Sequence, residues 1–305
     1  MFVGVSCGGE LWGADVFRSA EELGFDGLFT GEHLLFHRPV WDAVTMCTAM
    51  ACATERIAIG PAATIAPLRH PTLLAKEFAG VDLISRGRLI LALGVGGDNP
   101  KEFEAAAVPL ERRGRRTTET IEILKRYFSG ERFSYQGELF RLEDVWLDPP
   151  PARPGGPPIW VAGRRDPTLR RAAALGDGFL PYMVTPRSCR RMFDAIAEHA
   201  AAARRELPAD YAWCAYVYVS LGDDPDEARR RGDEHLAWRY DEPRFEGDLA
   251  GKYVVAGDAS ACAEGLARFG AAGCTHLVLS LVRRAEQSPA DALGAFAESV
   301  LPLLR

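Results

Sequence analysis

Glu32 and His33 follow the short apolar run Gly27-Leu28-Phe29-Thr30 across a single residue, Gly31. An imidazole exchanges a proton near neutral pH, and a neighbouring carboxylate can tune it. Adjacent residues at a strand end point apart, so Glu32 need not touch His33. Taken alone, the residues favour the plainer account of a loop histidine beside a solvated glutamate. His37 is a candidate to line a pocket, and Trp41 reads as core or pocket wall rather than as chemistry. Further along, Gly94-Val95-Gly96-Gly97-Asp98-Asn99 is a glycine-rich turn after the apolar run 89–93. It lacks the full G-x-G-x-x-G spacing of a dinucleotide loop. Asp98 and Asn99 are candidate pocket residues, with Glu102 a turn later. The stretch Ala162-Gly163-Arg164-Arg165-Asp166-Pro167-Thr168 joins an apolar run to a helix. N–H groups at a helix start and arginine side chains both suit a phosphate. A solvated pair, Arg164 and Arg165, with Asp166 as the helix N-cap, accounts for the same residues.

Three other motifs have structural explanations. The small residues of Pro61-Ala62-Ala63-Thr64-Ile65-Ala66-Pro67 leave room for a flat ring, or they are a plain strand before a proline loop. Arg69-His70-Pro71 puts a cation beside an imidazole, but Pro71 suits the first turn of a helix, and that is the reading adopted for His70. The basic run Arg112-Arg113-Gly114-Arg115-Arg116 reads as a solvated helix start. The helix dipole disfavours positive charge there, which invites a carboxylate or another anion. No H-E-x-x-H, C-x-x-C or clustered acidic run suggests a metal site. Ser6, Ser85 and Ser280 lack a G-x-S-x-G elbow, which argues against a serine hydrolase.

These residues need elements to position them. Short apolar runs containing Phe2, Leu28, Ile57, Leu89, Ile159, Phe179, Tyr216 and His276 read as eight strands. Helical patterns separate them, at 14–23, 40–54, 73–83, 112–128, 167–175, 187–205, 225–240, 259–270 and 290–304. The unit at 57–93 is strand, helix, strand, with apolar runs suited to parallel strands buried on both faces. Eight such units predict a (β/α)₈ TIM barrel, with catalytic groups at the C-terminal strand ends. An open doubly wound sheet is the alternative, because periodicity does not show closure. Residues 130–157 break the rhythm and read as an excursion: a hairpin pairing Phe133-Ser134-Tyr135 with Leu139-Phe140-Arg141, then a proline-rich connector. Residues 239–251 are charged and aromatic, and read as a lid or binding loop, an interface or a mobile loop.

The chain has 305 residues, 48% hydrophobic and 26% charged, with a net charge of -6, enough for a large core in one domain, 1–305. Nothing in the overall charge argues for nucleic acid. No signal peptide or membrane-length apolar run is visible. Seven scattered cysteines read as reduced thiols in a cytoplasmic protein.

The order Arg69-His70-Pro71, Ala75-Lys76, Asp82 to Leu89 as D-x-x-S-x-G-R-L, and Gly94-Val95-Gly96 resembles the luciferase-like superfamily of flavin and deazaflavin oxidoreductases. The resemblance runs from Phe2 to Val282. It implies a luciferase-like barrel with a ring cofactor at the C-terminal face. His33 would lie over the ring as proton donor or relay, paired in the motif with Glu32. Ala62, Ala63 and Thr64 would form a bulge backing the ring, with a cis Ala62–Ala63 peptide. Gly96 and Asp98 would border it. Ala162, Gly163, Arg164 and Arg165 would hold the cofactor phosphate, although Arg165 stands where serine is common. Some deazaflavin-dependent relatives carry an acidic catalytic residue near position 97, where this chain has Gly. The resemblance implies an oxidoreductase using reduced coenzyme F420 for hydride transfer to a small organic substrate. The alternatives are a two-component monooxygenase taking reduced FMN from a partner reductase, and a non-catalytic flavin-binding protein. Homodimers are common in the superfamily. A phosphate-handling aldolase or isomerase would want a buried lysine at a strand end; Lys76, Lys101 and Lys125 fall in helices or loops, and the place of Lys252 is undefined.

Overall fold

Side chains alternate along the strands and so sort into two cores, one inside a barrel and one between barrel and helices. In β8 (Ile159–Ala162), Trp160 and Ala162 belong to the inner cluster while Ile159 and Val161 belong to the outer one. In β10 (Ala212–Leu221), Cys214, Tyr216 and Tyr218 point inward, and Ala215, Val217 and Val219 outward. The computed structural model describes residues 1–8, 10–240 and 250–305. Of the covering loop read at 239–251, positions 241–249 lie outside the described residues.

The inner strands follow one another around a ring. β1 (Phe2–Ser6) pairs with β2 (Gly27–Thr30), and β2 with β3 (Ala58–Pro61). On its other side β1 pairs with β12 (His276–Leu281), which pairs with β10. β10 continues to β9 (Gly178–Leu180), then β8, then β5 (Leu91–Gly94), then β4 (Thr64–Ile65). All of these pairs are parallel. β3 and β4 are consecutive pieces of one chain stretch, and Ile59 bridges Leu89. The sheet therefore returns on itself, which rejects the open doubly wound alternative. The eight expected strands are all present, the third in two pieces. β11 (Val254–Gly257), which the apolar pattern does not reveal, adds to the upper end of β10.

Helices α1 (Ala14–Glu22), α2 (Ala43–Ala53) and α3 (Pro71–Ile84) cover the first strands, and the short α4 (Pro100–Ala105) follows β5. α5 (Arg113–Phe128), α6 (Asp166–Leu175), α7 (Pro186–Ala202) and α8 (Pro225–Tyr240) continue the outer layer. α9 (Ala250–Tyr253) leads into β11, and α10 (Ala259–Ala271) and α11 (Pro289–Ser299) close it. α2 starts at Ala43 rather than near 40 because the Asp42 carboxylate caps it, accepting from Thr45 N at 2.8 Å. The excursion is a hairpin of β6 (Phe133–Gln136) and β7 (Arg141–Val145), with Phe133 opposite Val145. Leu139 and Phe140 are thus in its turn and not its second strand. The buried Glu119 carboxylate on α5 accepts from the backbone N–H groups of Glu138, Leu139 and Phe140, which fixes the turn.

No helix of the described residues is long and apolar enough to cross a membrane.

Candidate active site

The C-terminal end of β2 delivers Glu32 and His33 into different networks. Glu32 is buried; its carboxylate pairs with Arg69 at 2.7 Å and accepts from Ile65 N at 2.8 Å. Burial raises its pKa, and the Arg69 guanidinium works against that rise. Arg69 also meets Asp42 and Glu77, so one guanidinium ties β2, α2 and α3 together beneath the mouth. His70 takes the helix-entry role: its Nδ1 accepts from Thr72 N at 3.2 Å as N-cap of α3.

His33 turns the other way. Its Nδ1 lies 3.2 Å from Oε1 and 3.3 Å from Oε2 of Glu102. The imidazole side chain is 17% exposed and the glutamate 0%. The same carboxylate accepts from Leu34 N at 2.6 Å and Leu35 N at 3.2 Å, so it fixes the whole loop after β2. Glu102, which the sequence places a turn after Asp98 without giving it a role, is the carboxylate that meets His33. Its signal was present: Asn99 caps α4, Pro100 follows, and Glu102 falls in the first turn. A glutamate there normally serves its own helix start. Here it reaches across to another strand end, and that only the fold shows. The His33 ring stacks on Phe36 with centroids 4.0 Å apart and planes at 15°.

The remaining candidates divide. The Ala62–Ala63 peptide is cis. Ala62, Ala63 and Ala162 all border the inner cluster. A Cβ added at Gly94 would sit 3.7 Å from the Ala63 Cβ and 3.9 Å from the Ala162 Cβ, so these small residues form one close-set wall. Thr64 is buried beside them, and its Oγ1 has no hydrogen-bond partner among the described residues. Gly96 adopts φ +61°, and a Cβ there would lie 2.5 Å from Ile65 Cγ2, so only glycine fits this turn. Gly163, at φ +140°, turns the chain from β8 towards α6. Arg164 stacks over Tyr182 at 4.7 Å and donates to the Met183 carbonyl. Arg165 is the N-cap of α6, in place of the expected Asp166, which is the first helical residue and bonds Arg170 and His199. Asp98 is exposed in the loop after β5, and the adjacent Asn99 Nδ2 donates to the Leu35 carbonyl at 2.8 Å. Trp41 is 41% exposed, so it is not core. The basic run has found its carboxylates: Arg112 pairs with Glu138, and Arg115 with Glu119.

The family model for luciferase-like monooxygenases matches residues 13–292. The chain belongs to that family. Among curated relatives of this luciferase-like protein, a 5,10-methylenetetrahydromethanopterin reductase of Archaeoglobus fulgidus is 30% identical over 212 residues, covering 70% of this chain and 61% of that one. The match thus spans less than two thirds of that relative's length. An F420-dependent glucose-6-phosphate dehydrogenase of Beutenbergia cavernae is 29% identical, covering 94% of this chain and 91% of the relative. Two solved structures share the fold at low identity. An F420-dependent secondary alcohol dehydrogenase in complex with an F420-acetone adduct gives a TM-score of 0.85 at 19% identity, covering 99% and 98% of the two chains. The oxygenating constituent of 3,6-diketocamphane monooxygenase from Pseudomonas putida, in complex with FMN, gives 0.80 at 20%, covering 100% and 99%. The two curated relatives are thus named as oxidoreductases, and the two solved structures share the barrel.

Proposed function

We propose that this enzyme transfers hydride between reduced coenzyme F420 and a small organic substrate, with His33 supplying or relaying the proton. The observation that carries the reading is the His33–Glu102 pair at the C-terminal mouth of the barrel. The F420-dependent names of relatives that match this chain support the choice of cofactor. The residues present fit a ring with an anionic tail. Ala62, Ala63, Gly94 and Ala162 carry only small side chains, which leaves the backbone open to a ring, and the Thr64 hydroxyl lacks a partner among the described residues. Arg164 and Arg165 are exposed at the start of α6 and pair with no carboxylate among the described residues.

When bound, the reduced deazaflavin supplies the hydride. Everything else falls to the chain. The Glu102 carboxylate accepts Nδ1–H, which selects one tautomer and leaves Nε2 as the nitrogen that exchanges a proton. Stacking on Phe36 holds the ring plane. Arg164, Arg165 and the N–H groups at the start of α6 hold the phosphate. The fold shared with an FMN-bound monooxygenase favours a second reading, in which a partner reductase delivers reduced FMN and oxygen is inserted into the substrate.

Titrating the purified protein with F420 and FMN, each oxidised and reduced, separates the two. Tighter binding of F420 and a fall of about 10²–10⁴ in turnover for His33→Gln, with cofactor affinity unchanged, are the expected results. Preference for reduced FMN together with substrate-dependent oxygen uptake would favour the second reading. Binding of neither cofactor by folded protein would defeat both.

A further inference from the structure

We propose that Arg239 anchors an oxyanion, a carboxylate in the first instance, on the small organic substrate; this rests on the reading of the mouth as the reaction site. Arg239 stands near the end of α8, which reaches across the mouth from β10 to the loop after β2. His37 Nε2–H donates to the Arg239 carbonyl, and Arg38 Nε donates to the Trp238 carbonyl at 3.0 Å. These bonds fix the end of α8 against the loop that carries His33. The Arg239 guanidinium lies over the ends of β1 and β2: a Cβ on Gly8 or Gly31 would be 3.8 or 3.7 Å from its nitrogens. It also faces the Phe36 ring at 5.9 Å, and Phe36 stacks directly on His33. Guanidinium, phenyl ring and imidazole thus follow one another, which puts an anion bound at Arg239 on the same side of the mouth as His33.

Among the described residues, no carboxylate lies within ion-pair distance of Arg239. Its side chain lies close to Tyr218, whose hydroxyl is 2.7 Å from that of Tyr240. The neighbouring Arg283 is already matched by Glu10 at 2.7 Å. His235, on the same helix, stays neutral because it is buried and because Arg239 and Arg283 are both near. A half-buried guanidinium that the described residues leave without a carboxylate is open to an anion, and its planar fork matches a carboxylate with two parallel bonds. The place of the guanidinium beside Phe36 and His33 suits an anionic group on a bound ligand.

The test is calorimetric titration of the full-length protein, with and without bound cofactor, using benzoate, methanesulfonate and inorganic phosphate against neutral benzamide. The expected result is that an oxyanion probe binds at least about tenfold more tightly than benzamide, and that Arg239→Gln abolishes this preference while cofactor affinity holds. Equal binding of benzoate and benzamide, or a preference that survives Arg239→Gln, would overturn the proposal. A variant that loses cofactor affinity but keeps its anion preference would assign the guanidinium to the cofactor and overturn it too. If Arg239→Gln does not fold, Tyr218→Phe decides: weaker anion binding at unchanged cofactor affinity supports the proposal, and unchanged anion binding sinks it. Failure of the cofactor reading is seen separately, because the cofactor-free titration judges Arg239 whether or not either cofactor binds.

Discussion

Glu32 and His33 are neighbours in the chain but answer to different partners, and their substitutions should separate accordingly. Glu32 is locked against Arg69 below the mouth, where burial and the ion pair oppose each other in setting its charge. Glu32→Gln removes one side of a buried pair and should cost about 3 kcal/mol of stability, read from urea unfolding, with turnover affected less. Glu102 holds the His33 ring and two loop N–H groups with one carboxylate. A charged hydrogen bond of this kind is worth about 1.5–3 kcal/mol, so Glu102→Gln should lower kcat by about 10- to 100-fold. The glutamine oxygen still accepts from Leu34 N, so the loop should stay folded and the melting temperature should move little. A purely structural Glu102 would give the reverse: a large drop in melting temperature with kcat preserved in the folded fraction. A shifted pH profile of kcat in Glu102→Gln would further mark the carboxylate as acting through the imidazole.

Among the elements, two histidines are packed where protons are unwelcome. His276 opens β12 with its ring against Phe2 at 4.8 Å and Trp160 at 5.4 Å, at the N-terminal end of the barrel. Burial, and then the charged N-terminus, push its pKa down to about 4. His235 on α8 is likewise pushed down to about 4 by burial and two arginines. Both are neutral when folded at pH 7, whereas in the unfolded chain an ordinary histidine titrates near 6.5. As pH falls from about 6.5 to 4, the unfolded state binds the protons first, so stability is lost across that window and kept above it. Two such groups give a slope of up to about 2.7 kcal/mol per pH unit. His276→Phe keeps the ring packing and should flatten the slope of melting temperature against pH by about half; an unaltered slope would remove His276 from the account. The same two elements show what the sequence disclosed. The apolar run of β12 and the proline start of α8, with Ala228, Gly232 and Leu236 buried on one stripe, leave local patterns that match the observed bounds. β11 escaped notice because a four-residue strand borrows its stability from its neighbour β10 and shows no period of its own. The reach of Glu102 to His33, 69 positions back, is a product of barrel closure, which no local pattern records.

At the scale of the whole molecule, electrostatics set a conflict that can be measured. The chain carries 42 acidic and 36 basic residues, so its net field repels an anionic cofactor. The exposed Arg164 and Arg165 stand at the start of α6, where the helix dipole adds its own positive end. The two effects have different reach. The net field is felt at long range and is screened beyond a Debye length of about 10 Å at 0.1 M salt. The arginines act in contact, where a bound phosphate loses part of its solvent and screening is weaker. On the F420 reading, local contacts should outweigh the global repulsion, so raising salt from about 0.05 to 0.5 M should weaken F420 binding severalfold. If the net charge governed instead, added salt would tighten binding, and the sign of the slope alone decides. Replacing Arg164 or Arg165 by Gln should weaken F420 by about two- to fivefold each, the modest size reflecting their exposure. Each replacement should also flatten the salt slope. FMN, with a single phosphate and no longer tail, should show a shallower slope in the unmodified protein, so one salt series tests both the cofactor and the residues that hold it.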